Sequence, residues 1–137
     1  MRETRRAPWR EAGSALLESA LVFNLFILLV LAVIEFGFAV YAFNFVPYAA
    51  REGTRYASVR GANSGHPAQA SDVSSYVTGE AIALNSSKLT VTTTWSPDNN
   101  PGSTVKVVVS YTYVPLLSLI VTNSFKITST SQMVISQ

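Results

Sequence analysis

From Ala20 to Val46 the chain runs through 27 residues with one charge, Glu35. At about 1.5 Å per residue, a helix of that length reaches about 40 Å, more than the roughly 30 Å hydrocarbon core of a bilayer. Leu, Ile, Val, Phe and Ala cover its whole circumference. A soluble domain of this size rarely buries such a helix on all sides. The run therefore reads as a membrane-inserted helix. Two carboxylates stand out against it: Glu18 at its start and Glu35 within it.

The remaining residues divide unevenly around this helix. Of the 137 residues, 48% are hydrophobic, but the second half is rich in Ser, Thr and Val with few charges. That asymmetry predicts an anchor followed by a small β-rich domain. Arg2, Arg5, Arg6 and Arg10 precede the run, opposed only by Glu3 and Glu11. The positive-inside rule then keeps the N-terminus cytoplasmic and sends the residues after about Val46 outward, although Arg51, Arg55 and Arg60 on the far flank work against that bias. Without cysteine there is neither a disulfide framework nor a thiolate metal site.

In chain order, residues 1–13 are basic and polar and read as a leader, not a structural element. A secretory signal peptide has a shorter apolar core with a small-residue cleavage site after it. Here a cut before the run fits better. The helix is expected to break or kink at Val46, because Pro47 pushes the preceding residue towards extended backbone. Pro47 can open a second helix to about Arg60. That helix would carry Arg51 and Arg55 on one face and Glu52 and Tyr56 on the next. Residues 61–69 form a loop. A third helix from Ser71 or Asp72 to about Leu84 has its apolar stripe at Val73, Tyr76, Val77, Ala81 and Leu84. Three strands follow, over 88–95, 104–114 and 124–135. Val108 interrupts the polar face of the second, which marks it as central. Phe125, Ile127, Met133 and Ile135 are expected inward on the third, and residues 115–122 form an apolar connection. The fold class is α+β: a long N-terminal transmembrane helix, then a small head with one or two helices and a three-stranded antiparallel sheet. The divisions are 1–13 (leader), 14–46 (transmembrane helix) and 47–137 (extracytoplasmic head).

Gly13 followed by Ser14-Ala15-Leu16-Leu17-Glu18 resembles the prepilin-peptidase site of type IV pilins. Three further features sharpen the likeness. They are the Glu-containing apolar helix, the segment Ala-Ala-Arg-x-Gly-x-Arg-Tyr-Ala at 49–57, and Tyr-x-Tyr-x-Pro-Leu at 111–116 before the last strand. Together they resemble the TadE-like proteins, pseudopilin-like subunits of tight-adherence pilus systems. The resemblance spans about residues 13–60 and 104–135. It departs at Ser19, where many relatives carry an aromatic residue. It implies cleavage between Gly13 and Ser14, and a Glu18 that neutralises the new α-amino group of a neighbouring subunit. It also implies three partners besides the lipid bilayer: a prepilin peptidase, other pilin-like subunits and an inner-membrane assembly platform.

Each charged residue also has a plainer reading. Glu18 can be a solvated flank. Glu35 can mark the end of the bilayer or an intersubunit contact. Tyr48, Arg51, Arg55 and Tyr56 form a basic-aromatic patch suited to lipid headgroups or a neighbouring subunit, or simply to a solvated juxtamembrane face. With only Lys88, Lys106 and Lys126 besides Arg51, Arg55 and Arg60 after the leader, nucleic acid is not an expected partner. His66 is the sole histidine, and no nucleophile motif or phosphate-binding loop accompanies it. No catalytic residue, metal, cofactor or small-molecule substrate is expected. The expected role is noncatalytic: assembly of a pilus in the cytoplasmic membrane, and so adhesion or secretion. The rivals are an uncleaved, single-pass anchored binding domain and an anchored hydrolase. The hydrolase would need a clustered catalytic site.

Overall fold

The computed structural model describes residues 8–115 and 123–137, with side chains from Gly13 onward. The connection expected over 115–122 thus lies, beyond Pro115, outside the described residues. Helix α1 spans Pro8–Ser58, α2 spans Ala70–Glu80, and a 3-10 turn covers Ser86–Lys88. Strands β1 (Leu89–Ser96), β2 (Thr104–Tyr113) and β3 (Phe125–Val134) complete the order. The chain divides into two compact units, Met1–Gly37 and Phe38–Gln137.

Helix α1 departs from expectation at both ends of its apolar run. It begins inside the supposed leader, at Pro8, a residue whose missing N–H suits a first turn. It also continues through Pro47, with no break and no second helix. An interior proline removes one backbone bond and crowds the preceding turn, costing about 3 kcal/mol. Burial around it outweighs that cost. Phe45 and Val46 before the proline, and Ala49 and Ala50 after it, are all buried. A fully buried Val or Phe side chain alone contributes about 1.5–3 kcal/mol.

The second unit stacks two helical segments on one face of a sheet. The sheet is antiparallel in the order β1-β2-β3, with β2 central as Val108 implies. Pairs such as Thr93↔Val107 and Tyr111↔Ile127 set its register. Period-two alternation then points Val105, Val107, Val109, Tyr111 and Tyr113 into the core. Residues 42–57 of α1, together with Val73 and Val77 of α2, supply the other side. The core therefore takes in residues before Pro47, including Ala42.

One expectation is corrected and another refined at element ends. Helix α2 starts and stops earlier than residues 72–84. Its cap is Gln69, whose N–H donates to Asp72 Oδ2 at 2.9 Å, so Asp72 caps from within the first turn. After Glu80 the backbone turns through Ala83 at φ +63°, yet Ala81 and Leu84 still pack on the core. The apolar spacing is thus satisfied without helix. Ile127 on β3 and Ile135 just after it are buried as expected; Phe125 and Met133 also face α1, Phe125 against Phe43 and Met133 against Ser58, but remain partly exposed. They lie near the two ends of an edge strand, which has a sheet neighbour on one side only.

The far end of the sheet is closed by polar bonds. Asp98 accepts from the Ser103 hydroxyl at 2.5 Å and from the Asn100 N–H at 3.0 Å. The Ser103 hydroxyl, then Asn100, hold the Asp98 carboxyl below the usual carboxylate range. Ile135 N–H donates to Ser103 at 2.8 Å and Ser136 N–H to Ser58 at 3.0 Å, tying the turn, the chain end and α1 together.

Two outcomes follow. A truncation starting at Phe38 should unfold cooperatively in thermal melts, whereas one starting at Pro47, lacking Ala42, Phe45 and Val46, should not. The Asp98 carboxylate is favoured by folding, so its contribution is complete above the ordinary pKa of about 4 and fades as pH falls through the lower folded value. Asp98→Asn should therefore flatten the decline in melting temperature below about pH 4, and an unchanged slope would show that the turn does not depend on this charge.

Candidate functional site

The Gly13–Glu18 segment lies on helix. Gly13, Ser14 and Glu18 are exposed, and nothing comes within 4 Å of a side chain placed at Gly13. Four residues of helix bring Glu18 onto the same face as Ser14, one turn on. Ser19 turns its hydroxyl back to the Ala15 carbonyl at 2.8 Å, the ordinary fate of serine inside a helix. Glu18 and Ser19 share an open face with Val22, Phe23 and Phe26.

Beyond Glu18 the helix is apolar and uncovered. Leu16, Leu21, Phe23, Phe26, Val33 and Phe36 are all exposed, far more continuous apolar surface than soluble monomers carry. Over Gly13–Ser58, α1 is long and apolar enough to cross a membrane. Burial begins with Ala39 and Ala42. Glu18 and Phe38 are separated by about 30 Å of helix, the thickness of a hydrocarbon core. Glu35, half-buried, falls about one turn inside the far boundary so defined.

The basic-aromatic residues are placed differently from one another. Tyr48 and Arg51 are exposed. Arg55 donates to Glu52 Oε2 through two nitrogens, at 2.7 and 3.2 Å. Tyr56 stacks on Tyr76 with ring centroids 4.5 Å apart, and the Arg60 guanidinium lies 3.9 Å from the Tyr56 centroid. Tyr56 therefore belongs to the packing between α1 and α2. Tyr48 to Tyr56 lie about 15–27 Å along α1 beyond Phe38.

Reading the sequence for chemistry missed what the small residues of 49–57 do. Ala49, Ala50, Thr54 and Ala57 are buried while Arg51 and Arg55 point outward. A side chain at Gly53 would meet Val77 Cγ2 at 2.9 Å and Val107 Cγ1 at 3.3 Å. The spacing of Ala42, Val46, Ala49, Gly53 and Ala57 at three and four residues was the available signal. His66 sits in an exposed loop, Asp72 is a helix cap and Asp98 a turn acceptor. Among the described residues, no three His, Cys, Asp or Glu side chains gather into a site that could hold a metal ion.

Gly53→Leu should destabilise the second unit by about 1–3 kcal/mol or more through overpacking. Gly37→Leu, at a position with nothing within 4 Å, should leave it unchanged. Chemical denaturation in detergent, followed through Trp95, measures both.

No curated protein and no solved structure matches the chain. The family model described as TadE-like protein does match, over residues 13–55. That stretch, under a third of the chain, holds the Gly13–Glu18 segment, the uncovered apolar helix and the small-residue face through Gly53, and it is similar to the TadE-like family.

Proposed function

We propose that this chain is a noncatalytic, membrane-inserted, pilin-like subunit that acts in assembly of a tight-adherence type IV pilus, and so in adhesion or secretion. The observation that carries the proposal is an uncovered apolar helix that contains Gly-Ser-Ala-Leu-Leu-Glu at 13–18 and lies within the match to the TadE-like family model over residues 13–55. A prepilin peptidase cuts after Gly13. The leader's arginines stay on the cytoplasmic side, and the unit from Phe38 onward lies outside the cytoplasmic membrane.

The cut creates an α-amino group at Ser14. In the assembled bundle the Glu18 carboxylate of one subunit meets the amine of another. A buried pair of this kind stabilises little net, but removing one partner leaves an unpaired charge at a cost of about 3–5 kcal/mol. Glu18 thus acts on register and docking, not on chemistry. Glu35 sits near the outer boundary and can serve a contact between neighbouring helices. The partners are the peptidase, other pilin-like subunits, the inner-membrane assembly platform and the bilayer.

N-terminal sequencing of the membrane-extracted protein tests processing. Ser14 as first residue is expected, and an intact Met1 would favour an uncleaved single-pass anchored domain. Glu18→Gln and Glu18→Ala should be processed normally yet be lost from filaments. Full incorporation of both would remove Glu18 from the assembly step.

A further inference from the structure

We propose that one rim of the second unit is a seat for anionic lipid headgroups at the bilayer surface, centred on the loop around Ile82; this rests on the membrane-inserted reading above. The rim lies where the chain enters the unit, at Phe38. Ile82 is 76% exposed, the most exposed large apolar side chain among the described residues of that unit. Its position is fixed, because the Tyr41 hydroxyl on α1 donates to the Ile82 carbonyl at 2.8 Å. A loop that presents isoleucine to the solvent while tied to the apolar run is poorly suited to water and well suited to an interface.

The strand ends gather at the same rim. Leu89 opens β1 opposite Tyr111, and Tyr113 near the end of β2 pairs with Phe125 at the start of β3. Phe125 stacks on Phe43 at 5.7 Å and lies 5.1 Å from Tyr113, and both Phe125 and Val114 remain exposed. At this rim opens a cavity of about 270 Å³, lined by Phe38, Leu84, Lys88, Tyr111, Tyr113 and Val114 among others. It has room for a headgroup and its glycerol, not for a whole lipid.

Charge selects the occupant. Lys88 lines the cavity, and Lys126 follows Phe125 on β3. Among the residues that line the cavity Lys88 is the charged one and no carboxylate stands beside it, so the cavity itself is cationic. Aromatic and aliphatic side chains with lysines beside them are the composition of a membrane interface. The opposite end of the sheet carries Asp98, Asn99 and Asn100 instead. Phe38, which lines the cavity, is the residue at which the second unit begins, directly after the apolar run.

Depth-dependent quenching tests this in the full chain, which has no cysteine of its own. Ile82→Cys, Asn100→Cys and Leu28→Cys each carry a fluorophore in vesicles of phosphatidylcholine, with or without phosphatidylglycerol, in two sets: one brominated close to the glycerol, which reads Ile82, and one brominated near the acyl-chain ends, which reads Leu28. The label at Leu28 should be quenched by the chain-end bromines with or without phosphatidylglycerol, and the label at Asn100 by neither set. The label at Ile82 should be quenched with phosphatidylglycerol, and several-fold less when Lys88→Glu and Lys126→Glu are added. An unquenched Ile82 label beside a quenched Leu28 label would overturn the seat and leave the membrane helix standing. An unquenched Leu28 label would overturn both. Quenching at Ile82 that ignores phosphatidylglycerol or the charge reversals would overturn the anionic headgroup. A signal that follows protein density instead of lipid would assign the rim to a second copy.

Discussion

The second unit depends on how closely α1 can approach β2 and α2 at Gly53. Val77 and Val107 already occupy the space a methyl group there would need. Glycine inside a helix costs up to about 1 kcal/mol relative to alanine, so its use here favours packing over propensity. Ala42, Ala49, Ala50 and Ala57 extend the same close approach along the helix. The Thr54 hydroxyl, buried among them, donates to the Ala50 carbonyl at 2.7 Å and so leaves no orphan donor. Pro47 is tolerated because the surrounding burial exceeds its local cost.

One helix thereby serves two surroundings. Before Phe38, large apolar side chains stand uncovered around it. After Ala39, small ones press against a sheet. The change from large to small residues along a continuous α1 marks the boundary better than the proline does. It leaves about 30 Å of uncovered helix between Glu18 and Phe38. In the proposed function, the two ends of that length do separate things: Glu18 sets register with neighbours, and the Ile82 rim meets the membrane surface.

Much of this was legible from local pattern. Strand positions and the central place of β2 followed from period-two alternation and from Val108. The long uncovered apolar helix followed from hydropathy. The misreadings share a cause, which is tertiary packing overriding a local rule. Pro47 signals a break only where nothing holds the helix on both sides. The apolar spacing of Ala81 and Leu84 reads as helix, although a turn through Ala83 also delivers those side chains to the core. Phe125 and Met133 fit the inward period of β3, but their places near the ends of an edge strand leave them partly exposed. Tyr56 looked like an interfacial anchor because its stacking partner, Tyr76, is distant in sequence.

The burial of residues 42–57 against β2 also imposes an order on biosynthesis. The ribosome makes this face of α1 first and the strands that cover it last. At about 5–20 residues per second, the face waits roughly 4–15 seconds between the synthesis of Ala57 and that of Val134. During that interval Phe45 and Val46 have no sheet to pack on, beside a span that is itself apolar. Apolar surface on α1 thus stays uncovered until the strands that pack on it have been made.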